Sequence, residues 1–141
     1  MAEPNASLDL ARTLARALQA LTRGLLFPSE SDYPYKAFAA PFARGHAIDP
    51  ESFRTAAGIG RRYVIRVESA SQFFHDRIHP IDGDDADVPR YRLLKTVMEA
   101  TLTQVSRIWV GGENVVHVRV YILGRMEDGN LAGLSTVSIE T

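Results

Sequence analysis

The stretch from Val115 to Ile139 constrains this chain more than any other. Val116, Val118, Val120 and Ile122 fall on alternate positions, with His117, Arg119 and Tyr121 between them. A side-chain period of two predicts a strand over Val115 to Leu123, with one apolar face and one mixed face. Asp128-Gly129-Asn130 then supplies a hairpin turn, because Gly and Asn tolerate positive φ. Leu131 to Ile139 is the returning strand.

The segments before this hairpin mix helical and extended signals. Leu10, Leu14, Leu18 and Leu21 recur near the helical period while Arg12, Arg16 and Gln19 take other faces, which predicts a helix capped by Ser7 and stopped at Gly24. Residues 1 to 6 read as a flexible leader, and residues 7 to 141 as one domain without an internal linker or repeat. Leu25 to Tyr35 begins apolar and turns polar between Pro28 and Pro34, a shaped loop in which each proline fixes a dihedral and removes a donor. Residues 35 to 42 predict a short strand. Asp49-Pro50-Glu51 has the form of a helix start, with an end at Gly58 or Gly60. Residues 62 to 68 predict a strand with Tyr63, Ile65 and Val67 on one face and Arg66 on the other. Ser69 or Ser71 caps a helix carrying Phe73, Phe74 and Ile78, which Pro80 ends. Past the acidic run from Asp82 to Asp87, Pro89 opens a helix of roughly fifteen residues. Its stripe is Leu94, Met98, Thr101, Leu102 and Val105, with Leu93 and Val97 alongside, and Gly111-Gly112 breaks the pattern.

Composition narrows function by exclusion. A length of 141 residues suits one domain with its own core. The formal charge of -1, from 16 basic and 17 acidic residues, gives no global field to attract nucleic acid, so a direct binder would need a local basic face. The absence of Cys excludes disulfides and thiolate sites. No apolar run spans a bilayer and no secretory signal is evident, so a cytoplasmic protein without membrane contact is expected.

Catalytic patterns are incomplete. His75 and His79 have the four-residue spacing of a zinc helix, but Asp76 is shorter than the glutamate such sites use, Pro80 cuts the helix, and no third ligand is assigned. The aspartates from Asp82 to Asp87 lack the regular spacing and distal glutamate of an EF-hand and read as a solvated loop. Arg61, Arg62 and Arg66 form a small basic group without interleaved exposed aromatics, which reads as solubility or acidic pairing. Gly58-Ile59-Gly60 is a turn rather than a phosphate loop. Trp109 and the pair Phe73-Phe74 read as core or edge residues. No enzyme activity, no cofactor and no metal of its own are expected.

Two segments resemble the nuclease A inhibitor family. One is Gly24-Leu25-Leu26-Phe27-Pro28-Ser29-Glu30-Ser31-Asp32-Tyr33-Pro34-Tyr35, the other Gly129-Asn130-Leu131-Ala132-Gly133-Leu134-Ser135-Thr136 continuing to Glu140-Thr141. The resemblance implies an α+β fold, a three-layer α-β-α sandwich with a mixed sheet, PR-1-like. It also implies inhibition of a magnesium-dependent, sugar-nonspecific nuclease that cleaves DNA and RNA. In that family a loop glutamate and a terminal threonine enter the nuclease active site near its magnesium, and these roles fall on Glu30 and Thr141. Ser29, Ser31, Asp32 and Tyr33 accompany Glu30 as expected partner-binding residues, while Tyr33 and Tyr35 either add apolar contact there or fill the core. The chain departs from the family in the loop before the long helix. The family presents a tryptophan there, whereas residues 81 to 90 contain none and the sole Trp109 lies beyond that helix. An interaction module of the same fold with a non-nuclease partner is the alternative.

Overall fold

The computed structural model describes residues 4–27, 33–81 and 86–140, with side chains from residue 8 onward. The chain forms α1 (Pro4–Leu21), β1 (Leu26–Phe27), β2 (Tyr33–Pro34), β3 (Lys36–Ala40), α2 (Pro50–Ala57), β4 (Val64–Ser69), α3 (Ser71–Ile78), α4 (Val88–Thr101), β5 (Thr103–Gly111), β6 (His117–Arg125) and β7 (Leu131–Ile139). No helix among the described residues is long and apolar enough to cross a membrane.

The predicted hairpin is β6 and β7, paired from His117↔Ile139 to Arg125↔Leu131. Its turn is held by Asp128, whose carboxylate accepts from the Asn130 amide at 3.0 Å, and by Gly129 at φ 99°. Around this hairpin the larger sheet runs β3-β7-β6-β5-β4. Every pairing in it is antiparallel, so the expected mixed sheet is corrected. The reason lies in the connections: β5, β6 and β7 follow one another through short turns, which can only join antiparallel strands. Between β4 and β5, two helices rather than one intervene, and they return the chain to the end it left, pairing Ser69 with Ser106.

Two apolar clusters occupy opposite faces of the sheet. Alternation sends Val118, Val120 and Ile122 of β6 to one, with Leu18 of α1, Phe73 and Phe74 of α3, and Leu94 and Met98 of α4. Tyr121 and Leu123 point to the other, with Phe53 of α2, Ile65, Ile108 and Val110. The start of α2 is as predicted: Asp49 accepts from the Ser52 amide at 2.8 Å, Ser52 accepts in return from the Asp49 amide at 3.0 Å, and Gly58 closes the helix at φ 67°. Hydrogen bonds donated to its carboxylate, from the Ser52 amide above all, hold Asp49 below its ordinary pKa.

Three boundaries differ from expectation. Helix α1 begins at Pro4, so Ser7 lies within it rather than capping it, and the buried seam is Leu8, Ala11, Ala15 and Leu18, with Leu10 62% exposed. The two alanines let the helix lie close to β3 and β7, and Gln19 reaches across to accept from the Ala37 amide at 3.0 Å, satisfying a donor on the edge strand. Helix α3 has Ala70 at its cap position and no side-chain cap bond there. Helix α4 ends at Thr101, and Leu102 and Val105 belong to the entry of β5, a strand absent from the sequence reading. An irregularity between Thr103 and Ser106 leaves Gln104 at φ 51°, and its side chain bonds both the amide and the carbonyl of Ile48 at 2.9 Å.

Candidate functional site

Of the expected partner-binding residues, Ser29, Glu30, Ser31, Asp32 and Thr141 lie outside the described residues, as do four members of the acidic run, 82 to 85. Tyr33 is described. The described residues that flank the loop and precede the tail form the roots of both.

The loop root is the β1–β2 ladder, in which Leu26 pairs with Pro34 and Phe27 with Tyr33. A two-stranded ribbon of this length has little stability alone, so side chains must anchor it. Phe27 is 3% exposed, stacked on Phe73 at 6.3 Å and 3° between planes and set edge-on to Tyr35 at 6.3 Å. Tyr35 and Tyr91 share a hydrogen bond between hydroxyls at 2.9 Å within the core. Burial, with Tyr91 adding to it, pushes the Tyr35 hydroxyl well above its ordinary pKa. Tyr35 thus takes the core alternative, whereas Tyr33 stays half-buried. The Arg90 guanidinium of α4 adds a further tie, donating to the carbonyls of Leu21 and Arg23 just before this segment.

The tail root is β7. Past its last residue the Glu140 amide donates to the Val116 carbonyl at 2.9 Å, continuing the ladder by one bond. The Glu140 carboxylate accepts the Trp109 indole N–H at 3.2 and 3.3 Å on its two oxygens.

Both roots belong to the same end of the sheet, since β3 starts there with Lys36↔Ser135 and β7 finishes there with Ile139↔His117. A direct bond joins them: the Thr136 hydroxyl, 6% exposed as a residue, lies 3.0 Å from the Pro34 carbonyl and 3.4 Å from that of Tyr33. On the α2 side of the same end, Tyr33, Lys36, Arg119, Tyr121 and Ser135 line a cleft of about 260 Å³. The Arg119 guanidinium lies 5.3 Å from the Tyr63 ring, which Arg62 also approaches at 4.9 Å.

A family model described as nuclease A inhibitor-like protein matches residues 12–141. The chain belongs to the nuclease A inhibitor-like family. The match takes in both resembling segments and all the strands of the larger sheet. No curated protein matches the chain.

The competing constellations of this nuclease A inhibitor-like chain have local explanations. The His75 and His79 rings lie 4.9 Å apart, Asp76 is engaged by Gln72 at 2.7 Å, and among the described residues no group of three or more His, Asp or Glu side chains is arranged to hold a metal ion. The arginines disperse. Arg61 pairs with Glu51 at 3.2 Å, Arg62 turns to Tyr63, and Arg66 lies on the other sheet face over Trp109 at 4.5 Å. From its sequence neighbours Trp109 reads as a core or edge residue, whereas its contact with Glu140 is long-range. The available signal was the run Ile108-Trp109-Val110, whose bulky residues favour a strand that would set Trp109 opposite its neighbours.

Proposed function

We propose that this protein inhibits a magnesium-dependent, sugar-nonspecific nuclease by filling its active site with Glu30 and Thr141, without itself catalysing a reaction. The family match carries the nuclease reading. The Thr136–Pro34 bond supports a joint role for the two residues, because it fixes the loop root against the strand that leads to the tail. From Thr136 to Glu140 the chain advances four residues, about 13 Å in an extended strand. A loop and a tail rooted this closely can address one cleft in a partner, and rigid roots lower the ordering cost of association.

The chemistry suits the target. Magnesium takes hard oxygen ligands, and a nuclease that uses it must also hold phosphate oxygens. A glutamate carboxylate and a threonine hydroxyl offer such oxygens without a scissile phosphodiester. Tyr33, Lys36 and Arg119 would surround this contact and meet the rim of the partner's cleft. We further infer that the architecture is the three-layer α-β-α sandwich of PR-1-like type. The apolar clusters on both sheet faces support it, with α1, α3 and α4 as one outer layer and α2 as the other.

The purified protein is expected to suppress cleavage of both DNA and RNA by such a nuclease in magnesium buffer and to co-elute with it. Glu30→Ala and deletion of Thr141 should each weaken inhibition at least tenfold, about 1.4 kcal/mol of binding or more, while leaving the urea midpoint unchanged. Undiminished nuclease activity at saturating protein would overturn the reading. Full inhibition by both variants would remove these two residues from it.

A further inference from the structure

Trp109 sits where core packing alone does not call for an indole. It is half-buried at the margin of the larger apolar cluster, and its neighbours Ile108 and Val110 fill the opposite face of the sheet. What distinguishes the position is the tail. We propose that Trp109, aided by Gly111 and Arg66, is a positioning residue that clamps Glu140 and so fixes the point from which Thr141 departs. This inference rests on the nuclease-inhibitor reading above, and it names a part of that site which neither the resemblance nor the family match supplies.

The clamp has four connected parts. First, the indole lies over the Gly111 backbone: a Cβ at Gly111 would stand 2.5 Å from the Cη2 and Cζ2 atoms of Trp109. Gly111 does not have positive φ, so it is the ring's approach rather than backbone conformation that requires glycine here. Second, Arg66 is the direct cross-strand neighbour of Trp109 and places its guanidinium 4.5 Å from the ring, a cation–π contact that restrains the indole. Third, the indole N–H is shared between both oxygens of the Glu140 carboxylate, at 3.2 and 3.3 Å, and a bond to a charged acceptor is stronger than one to a neutral group. Fourth, the Glu140 amide is bound to the Val116 carbonyl at 2.9 Å. Glu140 is therefore held by main chain and side chain together, immediately before Thr141.

Terminal residues fray unless they are tied down. A residue meant to enter a partner's active site gains from an anchor immediately before it, because freedom lost on folding is not lost again on binding. Arg66, Glu68, Arg107, Trp109 and Glu140 line one shallow cleft of about 290 Å³ on the sheet face opposite the Tyr33 cleft. The Arg107–Glu68 pair at 3.1 Å gives these neighbours their own partners and leaves the Glu140 carboxylate to the indole.

Three variants test the clamp. Trp109→Phe keeps an aromatic ring and removes the N–H, Gly111→Ala pushes the ring aside, and Glu140→Gln removes the acceptor charge. Hydrogen exchange at the Glu140 amide should quicken severalfold in each, with urea midpoints near that of the wild type. Because Trp109 is the sole tryptophan, Glu140→Gln should also shift its fluorescence emission. Against the nuclease, Trp109→Phe should weaken inhibition roughly tenfold in the full chain and add nothing further once Thr141 is deleted, since a residue that acts through the tail has no effect without it. Unchanged exchange and emission would overturn the clamp, as would an equal loss of inhibition with and without Thr141. A wild-type protein that fails to inhibit would instead sink the nuclease reading, and the exchange and emission measurements would still decide whether the clamp exists.

Discussion

At the scale of single residues, the tyrosines show how one residue type divides between core and surface. Tyr33 and Tyr35 are two positions apart, and nothing in the local sequence says which one is buried. The core decides it, because Tyr91 of α4 offers a hydroxyl to Tyr35 at 2.9 Å and Phe27 offers it an edge-on ring contact. Burial raises the Tyr35 and Tyr121 hydroxyls above the ordinary value of 10.0, so folding favours their neutral forms. Their contribution is complete below about pH 10 and is lost above it, where the unfolded chain ionises first and the folded state must follow. Tyr35→Phe should cost about 0.5–1.5 kcal/mol at neutral pH, since it removes the hydrogen bond shared with Tyr91. It should also make the decline above pH 10 shallower. Urea titrations at neutral and alkaline pH check both; an unchanged alkaline slope would count against the buried phenol as its source.

At the scale of elements, β7 does the most to organise the molecule. It pairs with β3 and β6, contacts α1, holds the loop root through Thr136 and carries the chain to Glu140. It also comes unusually close to β6 at one point, where a Cβ on Gly133 would lie 2.2 Å from the Ile122 carbonyl oxygen and 2.5 Å from the Leu123 Cα. Those are backbone atoms that cannot swing away. Gly133→Ala is therefore expected to cost about 1–3 kcal/mol by overpacking, measured as a lower urea midpoint. A neutral effect would mean the strands separate there at little cost. β7 was legible because alternation and a Gly-Asn turn are local signals. β5 was not: Leu102 and Val105 continue the helical stripe of α4 on paper, and only the buried destination of Leu102 beyond the helix end, with the irregularity at Gln104, divides the two elements.

At the scale of the whole molecule, one sheet separates two apolar clusters that do not share side chains. Ile65 belongs to the α2 side and Ile122 to the side of α1, α3 and α4. Each changed to Val should cost about 0.5–1.5 kcal/mol, and the double variant should cost their sum to within about 0.5 kcal/mol. A larger coupling in denaturant titrations would mean that the sheet transmits strain between its faces.

By itself the sequence determined the hairpin, the capped start of α2 and the β4 face, because each rests on neighbours a few residues apart whose backbone preferences need no distant partner. Tertiary structure decided the antiparallel order of the sheet, the strand β5, the burial of Tyr35, and the meeting of Trp109 with Glu140 and of Thr136 with Pro34. Those contacts join residues 31 and 102 positions apart. Their geometry depends on register and on which face each strand presents, and a local pattern carries neither.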